Sequence, residues 1–330
     1  MAKKLIFLLI TFLLAALLFL FVEKPPAAEH IQWGVNFSAK HATNLGLDWK
    51  EAYEVIFKDL GAKHVKVAVH WDSIEPEQNV FFFEDVDWQM QKAERNNAKV
   101  VLAIGMKTPR WPECHIPVWA KDLSKERQQE AILRMLQEVV ARYKDSSALF
   151  SWQVENEPFF PFGECPWQDS SFLKKELILV QSIDSSHPSF TSDSGELSLW
   201  IRAAILGDKV SVTMYRKAWF EQLGRYVTYP FPTGFYWHKA QLIQFLFAKD
   251  VVVGELQAEP WGPRLLQDVS LQEQQKTMNL QQFQKNIAFA KSTGLSEFYL
   301  WGAEWWYWMK EKHEDAGIWN EAKKLFRTTQ

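Results

Sequence analysis

Short apolar runs alternate with longer amphipathic ones along most of this chain. Runs over 31–37, 64–70, 99–104, 149–154, 189–193, 210–214, 251–256 and 297–301 read as strands, several of them rich in β-branched residues. Between them, apolar positions recurring every three or four residues predict helices over 48–60, 85–96, 124–143, 171–183, 198–206, 235–247 and 271–292. A last helix begins near residue 320. Gly61 and Gly294 stand where the first and the Gln-rich helix should stop. Strand then helix, eight times over, predicts an α/β fold of the (β/α)8 TIM-barrel type. Near-continuous apolar strands suit a parallel sheet covered on both faces. A doubly wound open sheet would want a Gly-rich phosphate loop after the first strand, and Gly34-Val35-Asn36-Phe37-Ser38 is not one.

Residues 5–22 break this alternation. They are uncharged, apolar but for Thr11, and follow Lys3 and Lys4. The run is just long enough to cross a bilayer, and no small-x-small cleavage site follows it. The pattern predicts an uncleaved membrane anchor with the lysines inside and the rest of the chain outside the cytoplasm. A cleaved signal peptide, leaving a secreted or periplasmic protein, is the alternative. Either way the chain divides into an anchor and spacer, 1–29, and one barrel domain, 30–330.

Composition adds three points. With 330 residues, 47% of them hydrophobic, the chain can build a large core. Its net charge of −3 gives no reason to expect nucleic acid as a partner. There are 17 Trp, 24 Phe and 8 Tyr; a Trp-rich core is the plainer reading for about half of the tryptophans, and the others stand beside predicted strand ends where flat rings can stack on sugars. The only two cysteines, Cys114 and Cys165, fall in loops after neighbouring strands. In an exported domain they predict a Cys114–Cys165 disulfide. They fit no zinc spacing, so no metal and no organic cofactor is expected.

Two glutamates carry the candidate chemistry. Glu157 lies in Asn156-Glu157-Pro158 at the end of the fourth strand, and Glu255 ends the seventh. The carboxyl ends of barrel strands are where catalytic groups collect. Two carboxylates there are the minimum equipment for cleaving a glycosidic bond, one as acid/base and one as nucleophile. Strand alternation puts Glu155 on the face opposite Asn156, and the chain must curl out of the sheet near Pro158 to bring Asn156 and Glu157 to the mouth together. Glu259, four residues past Glu255, is the second choice for nucleophile. Further candidates at or after strand ends are Asn36, His70, Trp71, Lys107, Arg110, Trp111, Asp193, Glu196, Trp261 and Glu304. For Asp193 and Glu196 a turn or loop cap is the plainer reading. Of Trp305, Trp306 and Trp308, one or two at most can face a cleft.

These motifs resemble those of the clan A glycoside hydrolases, the barrels that include families 5, 10 and 42. The resemblance covers nearly the whole chain after the apolar run. Asn156-Glu157-Pro158 matches the clan's acid/base motif, and Glu255 with Gln257 and Trp261 resembles its nucleophile segment. Trp71 with Ile74-Glu75-Pro76 resembles the segment after strand two, and Trp301 the sugar-platform tryptophan of strand eight. Tyr215 matches the tyrosine that hydrogen-bonds the nucleophile. The resemblance implies retention of configuration, a β-linked glucan, mannan or galactoside as carbohydrate partner, and a cis Trp301–Gly302 peptide. Asn36, His70, Trp71, Asn156, Tyr215, Trp261 and Trp301 would then touch substrate. The chain departs from family 5 at Lys66 in place of an arginine, at Gly105-Met106-Lys107 in place of a histidine, and at Thr213 in place of another. Those departures keep open a carbohydrate-binding barrel without catalysis acting as a surface receptor; a transglycosylase, which differs from a hydrolase in how water enters the site, is the other alternative.

Overall fold

The computed structural model describes residues 24–327, with isolated positions 4, 7, 11, 15 and 21 ahead of them. Apart from those isolated positions, the predicted anchor falls outside the described residues. Among the described residues, no helix is long and apolar enough to cross a membrane.

Eight parallel strands close into a barrel: β1 (Gln32–Phe37), β2 (His64–Ala68), β3 (Lys99–Ile104), β4 (Leu149–Val154), β5 (Ser189–Asp193), β6 (Val210–Met214), β7 (Val251–Gln257) and β8 (Glu297–Trp301). They pair in chain order, and β8 returns to β1 with Gln32 opposite Glu297. Helices such as Glu84–Arg95, Lys125–Tyr143 and Ser170–Ile183 cover the outside.

Three stretches differ from the sequence pattern. The Gln-rich segment is two helices, Leu271–Gln274 and Leu280–Lys291, because Asn279 leaves the helix and caps the second one by accepting from the Gln282 amide at 2.9 Å. The segment after β8 is helical at once, over Ala303–His313, and Gly317–Arg327 follows it. The aromatic loop after β6 holds an antiparallel hairpin, Lys217–Phe220 with Arg225–Thr228.

The period of two sorts the side chains. Val65 and Val67 on β2, Val100 and Leu102 on β3, and Trp152 and Val154 on β4 all join the main core between strands and helices. Their neighbours must then point inside the barrel. At one level those neighbours are Val101, Phe190 and Tyr299, which form a small apolar cluster of their own. Nearer the mouth they are Asn36, Lys66, Gln153 and Ser192, all polar and all buried. A polar layer inside a barrel costs free energy unless it is hydrogen-bonded throughout, which makes it the expected place for function.

Candidate active site

Glu255 reaches the interior through a β-bulge. Val212 pairs with Val253, but the next residue, Thr213, pairs with Glu255, so Gly254 is the extra residue. A Cβ at Gly254 would lie 2.1 Å from the Ser211 hydroxyl, so only glycine fits. Within this pocket Lys66 Nζ stands 3.4 Å from Glu255 Oε1, and the Tyr215 hydroxyl donates to Oε2 at 3.2 Å. Burial lowers the Lys66 ammonium from the ordinary lysine range, and Glu255 pulls the other way. Lys66 also donates to Gln153 Oε1 at 3.2 Å. The tyrosine matched by resemblance thus meets Glu255, and a lysine stands where an arginine was looked for.

Glu157 is presented differently. The chain curls before Pro158, at Glu155 and Glu157, whose φ angles are +59° and +41°. Gln153 Nε2 and Ser192 Oγ both donate to Asn156 Oδ1 at 3.0 Å, and Ser192 Oγ accepts from the Glu157 amide at 2.8 Å. Lys107 Nζ donates to the carbonyl oxygens of Glu157 and Phe160, 3.0 Å each. The Glu157 backbone is therefore fixed, yet its carboxyl meets no hydrogen-bond donor among the described residues. Burial, and then the charge of Glu255, push that carboxyl well above the usual range. Glu155 faces the other way and accepts from the Met106 and Lys107 amides at 2.7 Å each, over Gly105, where a Cβ would lie 2.4 Å from its Oε1.

A third carboxyl escaped the sequence reading. Glu113 is buried and accepts from Asn156 Nδ2 at 3.1 Å. Burial pushes it up to about 7; Lys107 opposes the shift and Glu255 adds to it. Glu113 is next to Cys114, whose disulfide to Cys165 is present with a Cα–Cα distance of 5.2 Å. No periodic pattern marks Glu113. Lys66 did leave a signal, a cation between Val65 and Val67 in an apolar strand.

Several expected substrate contacts lie elsewhere. Trp71 is fully buried and its indole N–H donates to Glu75 at 2.7 Å, so it packs beneath the site and offers no face to a sugar. Both ring nitrogens of His70 are engaged, by Ser38 at 3.1 Å and Thr108 at 2.9 Å. Asn36 Nδ2 lies within donating distance of the carbonyl oxygens of Gly254, Tyr299 and Leu300, while its Oδ1 has no partner. Asp193 accepts from the Ser194 amide and Ser198 hydroxyl, and Glu196 from the Tyr215 amide and Tyr236 hydroxyl, so both organise loops. Trp305 and Trp306 are buried. Among the described residues the cis peptide is Trp111–Pro112; Trp301–Gly302 is trans, and Gly302 makes the turn with φ +137°. Trp301 sits at the mouth but lies under Arg110, which bonds Glu259 and Glu304. Burial alone would raise Glu259, but Arg110 and His41 outweigh it and hold it at about 2. An ion-paired Glu259 is no rival to Glu255. Trp261 is half-buried beside Tyr215, ring centres 5.2 Å apart. Among the described residues, no cluster of His, Cys, Asp and Glu could hold a metal ion.

Residues 28–176 match the Glycosyl hydrolase family 10 profile. Xylanase 10B of Thermotoga maritima superposes with a TM-score of 0.61 at 14% identity, covering 91% of this chain and 95% of that one. GH5_18 from Streptomyces cattleya, solved in complex with GlcNAc, superposes with a TM-score of 0.58 at 14% identity, covering 84% and 71%. Such identities show the fold alone. The "Probable mannan endo-1,4-beta-mannosidase A-2" of Aspergillus terreus is 34% identical over 76 residues, 22% of this chain. The chain spans only 18% of the length of that curated relative.

Proposed function

We propose that this (β/α)8 barrel belongs with the clan A glycoside hydrolases and is a retaining O-glycosyl hydrolase acting on β-linked sugars. Glu157 is the acid/base and Glu255 the nucleophile. The observation that carries this reading is the unequal treatment of the two carboxyls. Glu255 is met by an ammonium and a phenol, the setting of a group that must stay charged. Glu157 is undonated and pushed up, the setting of a group that must hold a proton. In the first step a Glu255 oxygen bonds to the anomeric carbon as the glycosidic C–O bond breaks, and Glu157 gives its proton to the departing oxygen. In the second, Glu157 takes a proton from water, whose oxygen displaces Glu255 and restores the starting anomer.

The disulfide supports placing this domain outside the cytoplasm, and the apolar run at 5–22 supports an anchored form. The test is a panel of aryl β-glucosides, mannosides, galactosides and xylosides, with the product anomer read by NMR at early times. Cleavage with retention, lost in Glu255→Gln, is expected. Inversion would overturn the double displacement. Sugar binding with no turnover would leave the receptor reading.

A further inference from the structure

The helix Thr233–Phe247 has an outer face that packing does not explain. From Ala240 to Ala248 it holds no charged side chain, yet Leu242, Phe245 and Leu246 stand 47%, 85% and 51% exposed. Their spacing of three and four puts them on one face. Gln241 and Gln244, also exposed, are the polar side chains beside them. On the other barrel helices exposed large apolar side chains stand singly, as at Ile178 and Leu280. Lys249 Nζ donates to the Ala204 carbonyl at 2.7 Å, which brings the exposed Ile205 close to the same helix end. No Asp or Glu occurs over residues 222–249, so the helix and its approach carry no charge that repels a phosphate surface. An apolar face left open in this way marks a contact with another apolar surface.

The chain's own apolar run marks which surface that is. Phe21, one residue before the run ends, has its ring centre 5.9 Å from that of Phe235 on this helix. Leu242 and Leu246 follow Phe235 by two and three turns, so the three share one stripe, about 16 Å long at 1.5 Å per residue. Further along, the Pro26 carbonyl oxygen and the Trp237 ring both lie against Gly294, each 2.8 Å from where a Cβ would stand. The chain that leaves the run thus passes directly beside the helix. A run that crosses a bilayer ends at its surface, which puts that surface at the Phe235 end of the stripe. The one buried cation of the helix is turned inward: Lys239 Nζ donates to the carbonyl oxygens of Gly195 and Ser198 at 2.8 and 2.6 Å. A second copy of the chain is the weaker candidate. Three side chains offer a few hundred Å2 at most, against about 800 Å2 per partner in a stable dimer. Shallow burial in lipid needs no more than such a stripe.

We infer that Leu242, Phe245 and Leu246 lie in the boundary between headgroups and acyl chains of a phospholipid bilayer, a second contact that fixes how the anchored barrel stands on the membrane. This rests on the anchored form proposed above and not on the two-glutamate chemistry. Cys114 and Cys165 are bonded to each other, so a cysteine introduced into the full chain is the free thiol to label. Phe245→Cys carries the dye on the stripe, and its exposure means that the change disturbs little packing. Glu138→Cys, exposed on the helix Lys125–Tyr143, is the control. Both are measured in vesicles of phosphatidylcholine and phosphatidylglycerol. Lipids bearing a doxyl group at shallow acyl depth should remove about half of the emission at position 245 and about a tenth or less at 138. Iodide in the water should do the reverse. Quenching at 245 by iodide alone overturns the inference and leaves the anchor standing. Shielding at 245 from both quenchers also overturns it, and cross-links between Phe245→Cys chains would then name a second copy as the cover. Failure of the unlabelled full chain to float with the vesicles overturns the anchored form and the inference together.

Discussion

Glu255 at the end of β7 and Glu157 just past β4 meet at one mouth, and the protein holds them by different parts. Glu255 is held by its carboxylate: Lys66 on one oxygen, Tyr215 on the other, with the bulge at Gly254 aiming it. Glu157 is held by its backbone: its amide on Ser192, its carbonyl on Lys107, its φ at +41°. On the proposed reading a nucleophile must keep its charge and its line of attack, which accounts for the fixed oxygens of Glu255. An acid that later becomes a base must change protonation, which accounts for a Glu157 carboxyl left free on a fixed backbone.

The largest effect should come from removing either carboxyl, and the two losses should differ in kind. Glu255→Gln should cost a factor of about 1,000 or more on every substrate, since no other carboxyl can bond the anomeric carbon. Glu157→Gln should cost far less with a nitrophenolate leaving group, which needs no proton, than with a sugar. The sign of its pH effect follows from the raised carboxyl. The acid works only while protonated, so wild-type activity falls as pH rises through the Glu157 pKa, and the variant should lose that alkaline limb. Equal losses on both substrate kinds would erase the distinction drawn here.

Lys66→Met strips the cation from the nucleophile side alone. A loss of about 100-fold in kcat/KM is expected, carried by kcat, because the cation that meets a Glu255 oxygen is gone. An unchanged kcat would mean that Lys66 serves only to fill the barrel. On the acid side, Glu113→Gln should change activity only a few-fold, since Glu113 touches Glu157 through Asn156. Its larger signature is in stability. A carboxyl raised to about 7 in the fold stabilises while protonated, so the wild type should lose stability as pH climbs from about 4.5 to about 7. The bound on that loss is roughly 3 kcal/mol at 1.36 kcal/mol per pKa unit. The glutamine variant should lack this slope in chemical denaturation; an identical slope would place the proton elsewhere.

Much of this contrast was legible before the structure, and the legible part obeys a rule. Residues inside strands follow the period of two, so β1 to β8 stand within a residue or two of their pattern, and Glu255 was placed by where its strand ends. Residues in the β3 and β4 loops follow no period. Glu113, Arg110, Glu155 and Glu157 all take positive φ, and they are positioned by partners far along the chain, such as Glu259 and Glu304 for Arg110. Local propensity carries no information about such partners. Trp71 was misread for a related reason. Its indole N–H is spent on Glu75 four residues on, which turns an apparent surface ring inward.

The smallest effect should fall on Trp111, and it tests whether the asymmetry extends past the two carboxyls. Tyr215, Trp261, Phe162 and Trp111 form a row of rings, with Phe162 in the loop that Glu157 begins, and Trp111 ends it as the most exposed of them. If leaving groups pass over that row, Trp111→Ala should remove one stacking contact, worth about 1 kcal/mol, and so raise KM about five-fold for an aglycone of two or more sugars. An aryl aglycone is too short to reach it and should be unaffected, as should kcat. Loss on both substrates would make Trp111 a support for the β3 loop and not a leaving-group contact. Loss on the long aglycone alone would show that leaving groups pass over the acid's side.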